Sequence, residues 1–123
     1  AIADAFMADA DVQEFRICGA DGVEGSVQYI IDGKQDMTVY CNPAMIAVAA
    51  MDLAEKLSAG EKVASAETIN NEAIDIPVIR CDVQPVTRDN LVEIWFDGGV
   101  FDAANYTNYE GMSDAVKPAN YNG

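Results

Sequence analysis

The chain has 123 residues, of which 50% are hydrophobic and 23% charged, a balance typical of one folded domain rather than of a disordered segment. Its formal net charge is -14, and this excess of negative charge argues against binding to nucleic acid or to an anionic membrane surface. The chain contains no histidine, which removes the catalytic triads, general bases and metal sites that depend on an imidazole.

Hydrophobic periodicity predicts that helices and strands alternate along the chain. Apolar residues within 23–31 recur at the spacing of one helical face. Asn42 followed by Pro43 is a strong helix start, because it combines an N-cap side chain with a proline at the first helical position. Residues 61–75 are polar and are expected to be connective. In chain order the predicted elements are a helix over 2–10, a strand over 15–19, a helix over 23–31, a strand over 37–41, a helix over 43–58, a strand over 76–83 and a helix over 88–96 that Thr87 caps. This alternation predicts a three-layer α/β/α fold with a mostly parallel sheet.

Polar residues stand at the ends of two predicted strands, where α/β sheets bind ligands. Asp21 follows the first strand, and its carboxylate could accept hydrogen bonds from ligand hydroxyl groups. It could instead cap the helix that follows, with Glu24 completing a capping box. The second strand ends at Tyr40, Cys41 and Asn42, of which Asn42 is also explained as the helix cap. Both strand ends therefore remain candidates for a ligand site.

Other sequence features predict no catalytic residue, metal site or cofactor. Cys18, Cys41 and Cys81 show no CxxC spacing and are odd in number, so they are expected to be buried, reduced thiols. Dinucleotide-binding, P-loop and GxSxG patterns are absent from the sequence. Trp95 is expected to pack in the core rather than to serve as a platform for a sugar ring.

Three segments carry a family resemblance through their order and spacing. They are FRICGADGVEGSVQYIIDGKQDMTVYCNP, the helix end LAEKLSAGEKV, and the later stretch IPVIRCDVQPVTRDNLVEIWFDGGVF. Together, over about residues 2–102, they resemble the last third of the type I periplasmic sugar-binding proteins of ABC importers, a family that includes ribose-, galactose- and xylose-binding members. The D-N…D-G-x-F pattern is most similar to the xylose-binding and multiple-sugar-binding branch.

The resemblance implies roles for individual residues. The family's G-x-D aspartate, which binds sugar hydroxyl groups, corresponds to Asp21. The polar sugar contact that the family places at the second strand end falls on Cys41 and Asn42. Cys41 departs from the family pattern, so the contact could be lost or moved to Asn42 or Tyr40.

The resemblance also implies how the chain is organised. Residues 1–41 and 77–123 would belong to the second lobe of a two-lobe protein, and the helix within 43–70 would pack on the first lobe. The chain opens at Ala1 rather than at methionine, and it is interpreted as a truncated, C-terminal portion. It is expected to bind sugar weakly or not at all by itself, and its candidate partners include the missing N-terminal portion and a second copy of the chain.

The function implied is that of a binding protein and not of an enzyme. The chain would be part of an extracytoplasmic solute-binding component, in the periplasm or anchored to the cell surface as a lipoprotein. It would bind a monosaccharide between two lobes and deliver it to the membrane permease of an ABC transporter, without a cofactor. The alternatives are the effector-binding domain of a LacI-type transcription repressor, which shares the fold, and the sugar-sensing module of a signalling receptor.

Overall fold

Helices and short strands alternate along the chain, so the predicted α/β class is confirmed. The structure, a computed structural model, describes residues 2–65 and 67–110; the end of the predicted second-lobe segment, 111–123, lies outside the described residues. The elements are α1 (Ile2–Ala8), β1 (Cys18–Ala20), α2 (Glu24–Ile31), β2 (Met37–Tyr40), α3 (Pro43–Ser58), β3 (Glu67–Asn70), β4 (Asp75–Val78), β5 (Gln84–Thr87), a π-helix (Val92–Asp97) and a 3₁₀ turn (Ala103–Asn105).

The chain divides into two units that are described separately. The first unit comprises the residues up to Tyr40 together with those from Gln84 onward, and the second is Cys41–Val83. Within the described ranges, no helix is both long enough and apolar enough to cross a membrane.

The sheet of the first unit has the strand order β1-β2-β5. β1 and β2 are parallel, with Ala20 opposite Val39, whereas β5 runs antiparallel to β2, with Gln84 opposite Tyr40. This sheet has one parallel and one antiparallel pair of strands, whereas the alternation of elements predicts a mostly parallel sheet. β5 is absent from the prediction because it contains Pro85, and a proline argues against a strand. The structure tolerates Pro85 because β5 is an edge strand, where no partner needs the missing N–H group.

The core of the first unit lies between α2, the sheet and the π-helix. The predicted apolar face of α2 is confirmed for Val27, Ile30 and Ile31, which are all buried. Val23 was predicted on the same face, but it is 57% exposed because it lies before the helix as its N-cap residue. The prediction that Trp95 packs in the core is confirmed, since its side chain has no exposed surface.

The second unit begins with α3, which starts and ends as the sequence predicts. The Asn42 Oδ1 atom accepts hydrogen bonds from the backbone N–H groups of Ala44, at 3.0 Å, and Met45, at 3.4 Å. Gly60 follows the helix in the left-handed conformation that a glycine adopts at low cost (φ +76°). Both termini are therefore set by local chemistry, although no residue of α3 is buried.

The rest of the second unit contains a β-hairpin that the hydrophobic pattern does not predict. β3 and β4 are antiparallel, with Glu67 opposite Val78 and Asn70 opposite Asp75. Residues 61–75 were interpreted as connective because β3 is exposed on both faces and thus shows no hydrophobic alternation. The strand predicted over 76–83 is confined to β4, and residues 79–83 are not a strand.

The helix predicted over 88–96 begins four residues further along the chain, at Val92. Thr87 does not cap it; instead, its backbone N–H donates to Asn90 Oδ1 at 2.8 Å, and Asn90 Nδ2 donates to the Pro85 carbonyl at 3.0 Å. Asn90 thus stabilises a turn after β5, and the π-helix begins beyond it at Val92.

Candidate functional site

The two strand ends singled out in the sequence lie at one edge of the sheet. Because β1 and β2 are parallel, with Ala20 opposite Val39, the strands end at neighbouring positions, and Tyr40 lies one residue beyond the last pair. A Cβ atom placed on Gly22 would lie 2.6 Å from Tyr40 Cδ2 and 3.2 Å from Tyr40 Cα, so the turn after β1 packs directly on Tyr40. The structure thus brings the Asp21 turn and Tyr40 together.

Asp21 presents its side chain from this turn and does not cap α2. The N-cap residue of α2 is Val23, which makes no side-chain capping bond, so the alternative interpretation of Asp21 as a helix cap is wrong. Asp21 and Gly22 both adopt left-handed backbone angles (φ 71° and 64°), and these two residues carry the chain around the turn before the helix begins. Within residues 2–65 and 67–110, no hydrogen bond or ion pair engages the exposed Asp21 carboxylate, which leaves it available to a ligand.

The side chain of Tyr40 packs in the core of the first unit. Its side chain is only 5% exposed, and its ring meets Trp95 edge-on, with the ring centroids 6.1 Å apart. The ring is therefore part of the core, and neither face is open for stacking on a sugar.

Cys41 and Asn42 lie at the start of the second unit. The interpretation of Asn42 as a helix cap is confirmed, and its Oδ1 atom is engaged by the N–H groups of α3. Its Nδ2 group is a hydrogen-bond donor without a partner within the described ranges, so it is the part of the side chain left for a ligand. Cys41 is a half-buried free thiol, which donates and accepts hydrogen bonds only weakly.

The cysteines depart from the expectation that all three are buried. Cys18 is exposed, and Cys41 and Cys81 are half-buried; all three are free. Cys18 is exposed because β1 is an edge strand of its sheet, with only its middle residue partly covered. In the part of the chain that the structure describes, no three Cys, Asp or Glu side chains cluster closely enough to hold a metal ion.

Asp36 fixes the approach of the chain to β1. Its Oδ1 atom pairs with the Arg16 guanidinium at 2.7 Å, and its Oδ2 atom accepts the Ile17 backbone N–H at 2.8 Å. These two contacts anchor the residues that precede Cys18, and hence the strand that carries Asp21 at its end.

Gly22 is the residue of this site that sequence reasoning missed. The structure shows that its lack of a side chain permits the contact with Tyr40. The available signal was the Asp-Gly pair itself, which is typical of turns with positive φ. The partner of the glycine could not be read from the sequence.

Comparison with solved structures places this geometry in a known fold. A carbohydrate transporter solute-binding protein from Chloroflexus aurantiacus, in complex with D-glucose, matches with a TM-score of 0.78 and 41% sequence identity over 88% of this chain and 32% of its own. The chain has the fold of ABC-transporter sugar-binding proteins. No family model and no curated protein matches the chain.

A second sugar-binding protein agrees in fold alone. This ABC transporter solute-binding protein from Clostridium phytofermentans, with bound β-D-glucose, gives a TM-score of 0.72 at 18% identity, over 84% of this chain and 32% of its own. The chain thus spans about a third of the length of both sugar-binding proteins. These neighbours are transport proteins rather than enzymes, and the LacI alternative is not favoured.

Proposed function

We propose that the chain is part of the solute-binding component of an ABC sugar importer, which binds a monosaccharide and delivers it to a membrane permease. The observation that carries the proposal is the 41% identity, over 88% of the chain, to a solute-binding protein that holds D-glucose. The available carboxylate of Asp21, at the end of β1, supports it from the geometry of this chain.

Asp21 is proposed to bind two sugar hydroxyl groups through its two carboxylate oxygens. A hydrogen bond to a charged acceptor contributes about 1.5–3 kcal/mol, so a single aspartate can supply a large part of the affinity for a small ligand. The exposed turn places this carboxylate in solvent, where a ligand can reach it without displacing a protein partner.

Asn42 is proposed as a second sugar contact through its Nδ2 group. This side chain would then have two roles, because its Oδ1 atom caps α3 while its amide N–H groups face a ligand. Cys41 stands where the resemblance implies a polar contact, and a thiol there would contribute little. The specificity at this strand end is therefore proposed to depend on Asn42 rather than on Cys41.

The class of ligand proposed is a neutral monosaccharide, with D-glucose as the first candidate because both neighbouring structures hold it. The lack of histidine fits a protein that holds its ligand without changing it. An extracytoplasmic location and a permease partner follow from the same proposal. The assignment of residues 1–41 and 77–123 to one lobe and of 43–70 to the other stays a prediction.

The test is a thermal-shift panel of pentoses and hexoses on the full-length product of the gene that encodes this chain. Ligand binding to the folded state raises the melting temperature, so one sugar should give a concentration-dependent upward shift. The variant Asp21→Asn should lose most of that shift, whereas Asp11→Asn, which alters another exposed aspartate, should keep it. If no sugar shifts the wild-type protein, the proposed function is wrong.

A further inference from the structure

The turn that presents Asp21 is built against one buried aromatic ring. A Cβ atom on Gly22 would lie 2.6 Å from Tyr40 Cδ2 and 3.1 Å from Tyr40 Cβ, distances that no larger residue could satisfy without a shift. The close approach therefore requires a glycine at position 22 and fixes the turn on the side chain of Tyr40.

The Tyr40 ring is itself held in place. It contacts the edge of Trp95, a fully buried side chain, at an interplanar angle of 84°. Its backbone is paired with Gln84 of β5, at the last position of the β2–β5 ladder. Tyr40 is thus fixed by the core and by the sheet, which makes it a rigid support for the turn.

The backbone of Asp21 is in a region that non-glycine residues adopt less often than the right-handed one, although aspartate tolerates it better than most. At φ 71° it is a non-glycine residue in the left-handed conformation, directly before Gly22 at φ 64°. Contacts on both sides of the turn hold these two residues in that conformation. The parallel register of β1 fixes the turn on one side, and the contact between Gly22 and Tyr40 fixes it on the other.

We propose that Tyr40 is a positioning residue for Asp21, which acts through Gly22 and does not itself contact the sugar. This inference rests on the proposed function, in which Asp21 binds sugar hydroxyl groups. Tyr40 keeps the turn in the conformation that binds sugar before the ligand arrives, so that little conformational freedom is lost on binding. The role differs from the sequence-based interpretation of Tyr40 as a direct ligand contact.

The experiment is a double-mutant cycle on the full-length gene product, with the sugar that gives the largest thermal shift as the probe. Tyr40→Leu removes the aromatic support, and Tyr40→Phe keeps it while deleting the hydroxyl group. We expect Tyr40→Leu to weaken sugar binding about tenfold and Tyr40→Phe to leave the Kd within about twofold of wild type. In the Asp21→Asn background, Tyr40→Leu should have almost no further effect on the Kd.

Three outcomes would overturn the inference, and they are distinguishable. Equal weakening by Tyr40→Leu in both backgrounds would mean that Tyr40 does not act through Asp21. Weakening by Tyr40→Phe to the level of Tyr40→Leu would mean that the hydroxyl group contacts the sugar. An absence of sugar binding by the wild type would remove the proposed function and this inference together.

A second measurement keeps the inference testable if Tyr40→Leu does not fold. Gly22→Ala changes only the turn, and its methyl group would meet the Tyr40 ring at a strained φ. We expect it to weaken sugar binding about as much as Tyr40→Leu, and to move the backbone carbon chemical shifts of Asp21 away from left-handed values. Gly25→Ala is the matched control, because no atom of residues 2–65 and 67–110 lies within 4 Å of the added Cβ atom. If Gly22→Ala binds sugar as the wild type does, Tyr40 does not position Asp21.

Discussion

The indole ring of Trp95 meets the ring of Tyr40 edge-on, at a centroid distance of 6.1 Å, and meets Phe101 in the same way at 5.3 Å. Edge-to-face pairs of this kind are favourable beyond the area that they bury. Trp95 thus connects the end of β2 to the segment that follows the π-helix. Its position explains how residues far apart in the sequence share one core.

Trp95→Ala should strongly destabilise the first unit. The substitution removes a fully buried side chain and leaves a cavity next to Tyr40 and Phe101, at an expected cost of about 3–5 kcal/mol in the free energy of unfolding. Urea unfolding, followed by tryptophan-independent far-UV circular dichroism, measures the change. Val23→Ala, at an exposed position, is the control and should stay within about 0.5 kcal/mol of wild type. A loss below about 1 kcal/mol for Trp95→Ala would contradict the core described above.

Gln28 joins α2 to the chain beyond the 3₁₀ turn. Its Nε2 group donates to the Thr107 carbonyl, and its Oε1 atom accepts the Thr107 backbone N–H, both at 3.1 Å. Gln28→Ala should therefore cost about 1 kcal/mol and accelerate hydrogen exchange at the Thr107 amide. Gln13→Ala is the matched control, because among the described residues Gln13 bonds the nearby Ala10 carbonyl alone. Unchanged exchange at Thr107 in Gln28→Ala would refute the role of this pair.

Sequence reasoning was most successful where local chemistry determines the structure. The start of α3 depends on Asn42 and Pro43 alone, and the structure shows the predicted cap. The buried face of α2 depends on helical periodicity, which is also local. β3 and β5 were missed because they form through pairing with other strands rather than through local chemistry. β3 is exposed on both faces and so lacks the hydrophobic alternation of a strand. β5 contains Pro85, which argues against a strand in the sequence.

The neighbouring strand ends were predicted from the sequence, whereas the contacts around them were not, and the ligand site there stays a prediction. Asp21 and Tyr40 were singled out from the strand ends, and the structure places these ends side by side. The sequence could not predict that Asp21 is exposed while Tyr40 is buried, because burial depends on contacts with residues elsewhere in the chain. The Tyr40 ring packs against Trp95 and against Gly22, and both contacts join residues distant in sequence.

Tyr106 gives the stability of the protein a dependence on alkaline pH. Its hydroxyl group is buried without a hydrogen-bond partner among the described residues, and burial, with a smaller contribution from Glu24, raises its pKa above the ordinary value of 10.0. The unfolded chain therefore loses this proton at a lower pH than the folded one. The contribution of Tyr106 to stability is fully present below pH 10.0 and is lost as the pH rises through the folded-state pKa.

Tyr106→Phe should remove this dependence and stabilise the protein. The phenylalanine ring keeps the stacking on Phe96 at 5.5 Å and deletes the unpaired hydroxyl group, for an expected gain of about 1 kcal/mol at pH 7. The measurement is urea unfolding of wild type and variant at pH 7 and above pH 10. The gain should increase at the higher pH, because only the wild type has the ionising group. A gain that shrinks as the pH rises would show that the hydroxyl group is not buried in the folded state.

Asn42→Asp separates the two roles proposed for Asn42. A carboxylate keeps the oxygen that caps α3 and suits the positive end of the helix dipole, so the free energy of unfolding should stay within about 0.5 kcal/mol of wild type. The same substitution removes the Nδ2 donor and should weaken sugar binding by the full-length gene product about tenfold. Asn42→Ala should lose both properties, with an additional cost of about 1 kcal/mol in stability for the missing cap. Because Asn42→Asp spares the helix, wild-type affinity in this variant would show that Asn42 is a cap alone, and that the sugar contact at this strand end is made elsewhere.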